Sequence, residues 1–516
     1  MAFISNLYLA FERVAKNNEN RVALLYPATG SETSYRELGL LVDRIAKTLW
    51  AKGLRQGQVA AFFHDKSPAA FAAMLACLRL GIIYTNLDPA SPWERVRKIL
   101  FNCNPSLIVN AFESLPFAHE LHATGYDNVL HLRNLPEPTG AITLPGPDTI
   151  SGGTPAYIMF TSGSTGTPKG AVMSHVNLLW FIQWAQDRFG ITHNDVLSNV
   201  NPIYFDNSVF DFYSAIFTGA SLVPFTPEQV KDGRLLLRLV AKAQCTIWFS
   251  VPSLLVYLLT TRAFTKAHFS DVRKIIFGGE GFPKQKLKEL FELFGSRADL
   301  ENVYGPTECT CICSSKTISP DDFIDMRGLA PLGKLSQNFD YVILSQDASN
   351  PDFGELFLRG PQVGLGYYED QERTRVSFQQ NPTHNRFADV GYRTGDLVER
   401  DARGWLHFRG RVDFQIKHMG YRIELEEIEA ALNAIDGVSE CAVIYQRIDD
   451  SLGQILAYVS GVQLSQPQLL LGLSKILPPY MLPKRIEIVS ALAKNANGKI
   501  DRSVLQATGS KPSIAN

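Results

Sequence analysis

An apolar run, Tyr157-Ile-Met-Phe, opens directly into Thr161-Ser-Gly-Ser-Thr-Gly-Thr-Pro-Lys-Gly170. No other stretch constrains the fold as tightly. The run reads as a buried strand, and the glycines and proline after it mark a loop. Gly163 and Gly166 permit close approach of backbone, so successive N–H groups can surround phosphate oxygens. Thr161, Ser162, Ser164 and Thr165 add hydroxyls, and Lys169 adds a point charge for the same phosphates. This is not a Walker loop, because no Gly-Lys-Ser/Thr follows at the required spacing.

The strand sits in an alternating rhythm. Leu38, Leu41, Val42, Ile45 and Leu49 have helical spacing after Tyr35. Val59 to Phe63 reads as a strand, Ala69 to Leu80 as an apolar helix stopped at Gly81, and Ile82 to Leu87 as the next strand. That alternation predicts an α/β fold with doubly wound mixed sheets. From about residue 330 to about 410 short strands and turns predict a small β subdomain. A helix from Leu425 to Asn433, then Cys441 to Tyr445 and Ile455 to Val459 as strands, predict a compact α+β domain at the end.

The formal net charge of the 516 residues is -1, which leaves no basic field for nucleic acid or anionic lipid. No apolar run reaches about 18 residues, so no membrane insertion is expected. Met1-Ala-Phe-Ile-Ser-Asn-Leu has no basic leader pattern, and a cytoplasmic location is expected. Seven scattered cysteines do not form a disulfide framework. Cys309, Cys311 and Cys313 alternate like one face of a buried strand and lack the spacing of a metal site.

Further motifs follow in order. They are Thr33-Ser-Tyr-Arg-Glu-Leu38, Leu87-Asp-Pro-Ala-Ser-Pro-Trp-Glu-Arg95 and Phe205-Asp-Asn-Ser-Val-Phe-Asp211. Asn302-Val-Tyr-Gly-Pro-Thr-Glu308, Tyr392-Arg-Thr-Gly-Asp396, Gly410 to Glu424 and Asn497-Gly-Lys499 complete the series. In the Tyr304-Gly305 segment an aromatic ring can stack on adenine, and Glu308 can hold Mg²⁺ against ATP phosphates. Together with the phosphate loop, this set resembles the adenylate-forming superfamily over essentially the whole chain. That superfamily includes nonribosomal peptide synthetase adenylation domains, acyl-CoA synthetases and luciferases.

The resemblance implies roles. Asn302 would contact the adenine amine, Thr307 the α-phosphate, Asp396 the ribose hydroxyls, and Arg411 would stand near the ribose. Thr161, Glu308 and Lys499 would form the catalytic set, with Lys499 bridging the substrate carboxylate and the α-phosphate. Asp413 would be the hinge between an N-terminal core, 1–412, and a mobile C-terminal domain, 413–516.

Asp206 and the Leu87-Asp-Pro motif resemble the amino-acid-activating branch, where this carboxylate pairs with the substrate ammonium. Arg411 to Glu429 resembles D-alanine–carrier-protein ligases. Those enzymes carry cysteine where Gly278 stands, so Gly278 is expected to leave more room. The implied pocket comprises Asp206, Asn207, Phe210, Ser250, Ile276, Gly278, Val303, Cys311 and Ile312. It is mostly apolar, which favours a neutral, small to medium amino acid. No carrier domain follows Leu505, so the expected partner is a separate phosphopantetheinylated carrier protein. The alternative is an acyl-CoA synthetase.

Overall fold

A computed structural model describes residues 4–137, 141–261, 263–448, 453–461, 463–494 and 500–509. The expected Lys499 and the Asn497-Gly turn lie outside the described residues. The chain divides into two compact units. The first is Met1–Leu87, Cys103–Phe160 and Gly170–Val412. The second is Asp88–Asn102, Thr161–Lys169 and Asp413–Asn516. Two short N-terminal segments, one of them the glycine–hydroxyl loop, thus group with the C-terminal part.

Local chemistry sets the element ends. Ser34 and Glu37 form a capping box that starts the helix Tyr35–Ala51. Ser67 caps the helix Pro68–Leu80, and Gly81 ends it at φ 66°. That helix is apolar almost all round, because it is packed on every side.

The first unit holds two large α/β sheets. One runs Gly366–Tyr367, Lys169–Ser174, Pro155–Thr161, Ile83–Leu87, Val59–Phe63, Leu107–Asn110, Val129–His131. The other has a parallel centre, Asp299–Tyr304, Lys274–Gly278, Ile247–Ser250, Val196–Asn199, Ser221–Pro224, Val22–Tyr26, with antiparallel edges. Both sheets share one core. Phe71 on Pro68–Leu80 stacks on Phe212 of the helix Asn207–Ile216 at 5.3 Å, and Tyr84 Oη meets Tyr213 Oη at 2.7 Å. Truncating Phe71 to alanine there would cost about 3–5 kcal/mol. Antiparallel strands Asp340–Leu344, Phe353–Arg359, Val390–Arg400 and Leu406–Arg411 build the small β subdomain. The second unit carries a hairpin, Gln415–His418 with Tyr421–Glu424, the helix Leu425–Asn433 and a three-stranded sheet.

The cysteine run is not a strand. Cys309 ends a short 3-10 turn, Thr307–Cys309, and Thr310 and Cys311 both have positive φ, 59° and 69°. The Thr310 hydroxyl fixes this strained turn by donating to the Gln362 carbonyl at 2.7 Å.

Two buried histidines give the fold a pH dependence. Burial pulls His64 down to about 3 and His175 down to about 4. His175 Nδ1 accepts the Leu7 N–H at 3.1 Å, which requires the neutral ring. Below about pH 6.5 the unfolded chain binds protons that the folded chain refuses, so stability falls as pH drops. The expected loss is about 1.4 kcal/mol per pH unit per histidine until the folded value is reached. Melting temperatures of wild type and His175→Gln between pH 7 and 5 measure it: the wild type should lose more on acidification, and equal losses contradict it.

Candidate functional site

Open parallel sheets bind ligands beyond the carboxyl ends of their strands. Ser250, Gly278 and Tyr304 end three adjacent parallel strands of the larger sheet, with Ile276, Asn302 and Val303 just before two of those ends. Asp206 stands at the head of the helix Asn207–Ile216, after the strand Val196–Asn199. The Thr307 hydroxyl donates to Asp206 Oδ2 at 2.6 Å. Two residues expected to serve different substrates therefore meet.

A second cluster gathers at the β subdomain. Tyr304 Oη donates to Asp396 Oδ2 at 2.6 Å, and Arg411 pairs with Oδ1 of the same carboxylate. Burial, and then the Asp396 charge, push the Tyr304 phenol well up, so it stays a donor. Asn302 Nδ2 donates to the Pro331 carbonyl at 2.8 Å, which fixes the rotation of its amide.

Glu308 is fully buried. Tyr367 Oη donates to its Oε1 at 2.7 Å, a contact with no signal in the sequence. Among the described residues no group of three His, Cys, Asp or Glu could hold a metal. A single carboxylate completed by substrate phosphates suits Mg²⁺, which keeps few protein ligands. Burial, and then Asp206, push the Cys311 thiol well up, so it lines the site as an uncharged group.

The second unit contains the glycine–hydroxyl loop. Gly166 takes φ 75° and its N–H closes on the Gly163 carbonyl at 2.9 Å. Ser162 Oγ donates to the Arg422 carbonyl at 2.8 Å. The Gly163 N–H donates to Glu427 Oε2 at 3.3 Å, and Lys169 Nζ lies 3.4 Å from Glu424 Oε1. Arg95 pairs with the other oxygen of Glu427, and Lys98 Nζ donates to the Gly166 carbonyl at 2.6 Å. Both the Gly163 N–H and the Lys169 ammonium thus face carboxylate oxygens. Arg95 and Glu427 lie in motifs read from the sequence, but no role at the loop was expected of them or of Lys98. Asp413 begins the C-terminal segment of this unit, and its Oδ1 accepts the Gln415 N–H at 3.2 Å.

The room expected at Gly278 is absent. A Cβ there would strike the Val303 carbonyl oxygen and come within 2.6 Å of Val303 Cγ2. Val303 already fills the space. Gly278→Cys should therefore strain the pairing of the strands Lys274–Gly278 and Asp299–Tyr304. Overpacking of this kind costs about 1–3 kcal/mol. Thermal melting should fall for that variant, and an unchanged melt would show that the strands separate freely.

Residues 11–368 match the family model "AMP-binding enzyme", and residues 427–499 match "AMP-binding enzyme C-terminal domain". The chain is 33% identical over 490 residues to an L-proline–[L-prolyl-carrier protein] ligase of Pseudomonas fluorescens, covering 92% of this chain and 93% of that protein. It is 29% identical to a D-alanine–D-alanyl carrier protein ligase of Lacticaseibacillus casei, covering 97% and 99%. Identity to tyrocidine synthase 3 of Brevibacillus parabrevis is 31% over 97% of this chain, which spans only 8% of that protein. In fold it is similar to holo-PA1221, an NRPS protein containing adenylation and PCP domains, with TM-score 0.84, 24% identity and coverage of 97% and 84%. An o-succinylbenzoate CoA synthetase of Bacillus subtilis gives TM-score 0.83 at 22% identity, with 98% of both chains covered. Matched over most of its length by both models, this chain belongs to the AMP-binding enzymes, the adenylate-forming superfamily of AMP-forming ligases.

Proposed function

We propose that the enzyme activates a neutral amino acid as aminoacyl-AMP and passes the acyl group to the phosphopantetheine thiol of a separate carrier protein. The observation that carries this reading is Asp206. Its carboxylate stands at a helix head, accepts from the Thr307 hydroxyl and lies within electrostatic reach of the Cys311 thiol. A substrate ammonium would pair with this carboxylate, a charge-assisted contact that an acid without an amine could not make.

In the first half-reaction a carboxylate oxygen of the amino acid attacks the α-phosphorus of ATP and pyrophosphate leaves. Thr161, Ser162, Gly163, Ser164, Thr165, Gly166 and Lys169 would cradle the phosphates. Asn302, Tyr304 and Gly305 would hold the base, and Asp396 with Arg411 the ribose. Glu308 would hold Mg²⁺, which when bound would supply positive charge against the ATP phosphates. Lys499 would bridge the reacting carboxylate and the α-phosphate. In the second half-reaction the carrier thiol, losing its proton, attacks the acyl carbonyl and AMP leaves. Asp413 would be the hinge between the two steps.

Acyl-CoA synthesis is the second reading, favoured by the likeness in fold to the CoA synthetase. A panel of amino acids in ATP–pyrophosphate exchange tests the proposal. Exchange with a neutral amino acid is the expected result. Exchange only with amine-free acids would overturn it.

A further inference from the structure

Lys66 is a lysine where a lysine is costly. It is buried, and its backbone takes a left-handed φ of 62°. Its N–H donates to His64 Nδ1 at 2.9 Å, and its carbonyl accepts from Tyr26 Oη at 2.8 Å. The ammonium donates to two main-chain carbonyls, Asn199 at 2.8 Å and Asn201 at 2.9 Å. Across the same turn, Asp211 Oδ2 accepts from Asn199 Nδ2 at 2.9 Å and from Asn201 Nδ2 at 3.0 Å. One turn of chain is therefore gripped twice, by its carbonyls and by its side-chain amides. Asn201 Nδ2 also donates to Phe249 O at 3.1 Å, next to Ser250.

The gripped turn leads straight to Asp206. After Asn201 the path is fixed again at Ile203, whose carbonyl accepts from Asn86 Nδ2 at 3.3 Å and Ser208 Oγ at 3.1 Å. Asp211 lies on the same helix as Asn207 and Phe210. Burial pulls the Lys66 ammonium down and pushes the Asp211 carboxyl up, each partly offset by the other's charge. A buried charge pair is weak evidence for stability, since neutral groups of similar volume often serve as well. Its value here is geometric.

We propose that Lys66 and Asp211 are positioning residues for Asp206, clamping the Asn199–Asn201 turn so that the ammonium-binding carboxylate stands where the substrate needs it. The inference rests on the reading of Asp206 given above. A misplacement of about 1 Å at a binding group can cost up to about 100-fold in rate, so loss of the clamp should register in the amino-acid parameters.

The test uses the whole enzyme with Lys66→Met/Asp211→Asn, which removes both charges and leaves an oxygen at position 211 for the two amide donors. Lys66→Met and Asp211→Asn are made singly beside it. The expected result for the double variant is a melt close to wild type, an amino-acid KM raised about tenfold or more and an ATP KM within about twofold. Asp211→Asn, the isosteric change, should shift the same ratio in the same direction and carries the test if the double variant does not fold. If the folded variants keep an amino-acid KM within about twofold of a wild type that exchanges, the pair is structural only and the inference is overturned. A wild type with no amino-acid-dependent exchange overturns the reading of Asp206 and this inference with it.

Discussion

Asp206→Ala should lower kcat/KM for the amino acid by about 100-fold or more while leaving ATP binding nearly intact. Removing one member of a buried ion pair costs about 3–5 kcal/mol. Asp206 is only half-buried before substrate arrives, which places the expectation at the lower end of that range. The variant also strips the Thr307 hydroxyl of an acceptor 2.6 Å away, so a small secondary effect on ATP is expected. Exchange kinetics with each substrate varied in turn, and calorimetry with ATP alone, separate the two. An unchanged kcat/KM for the amino acid would remove Asp206 from the site.

Lys499→Ala should all but abolish adenylate formation and spare the second half-reaction. A cation placed where negative charge develops is worth about 10²–10³ in rate. The attack of a thiol on a preformed aminoacyl-adenylate transfers the acyl group without that phosphoryl step. Exchange should collapse, while loading of the carrier from supplied adenylate should continue. Equal losses in both assays would show that Lys499 supports the enzyme generally and not the first step alone.

The elements with strong local signals were legible in the sequence. The helix Leu425–Asn433 and the strand Val59–Phe63 follow from periodicity within a few residues. The glycine–hydroxyl loop was legible because its chemistry is contiguous. What could not be read depends on residues far apart. Lys66 sits in His-Asp-Lys-Ser, a polar stretch that reads as surface, yet the acceptors of its ammonium lie more than 130 positions away. Glu427 and Arg95 are each ordinary helix charges until the fold joins them. At Gly278 the residue type suggested space, but strand register places Val303 there. The cysteines misled for another reason: alternation implies a strand only while φ stays negative, and Thr310 and Cys311 break that condition.

The carboxylates of Glu424 and Glu427 on the loop bear on how nucleotide affinity is measured. Where those oxygens sit against Lys169 and the Gly163 N–H, a phosphate cannot. On the proposed reading of this loop, nucleotide would compete with the protein's own anions, and its apparent dissociation constant would be the intrinsic one divided by the fraction of molecules with the loop clear. Any substitution that weakens this internal occupant acts like a rise in ligand concentration. Tight nucleotide binding in such a variant would report a vacated loop, with no new contact to the ligand at all.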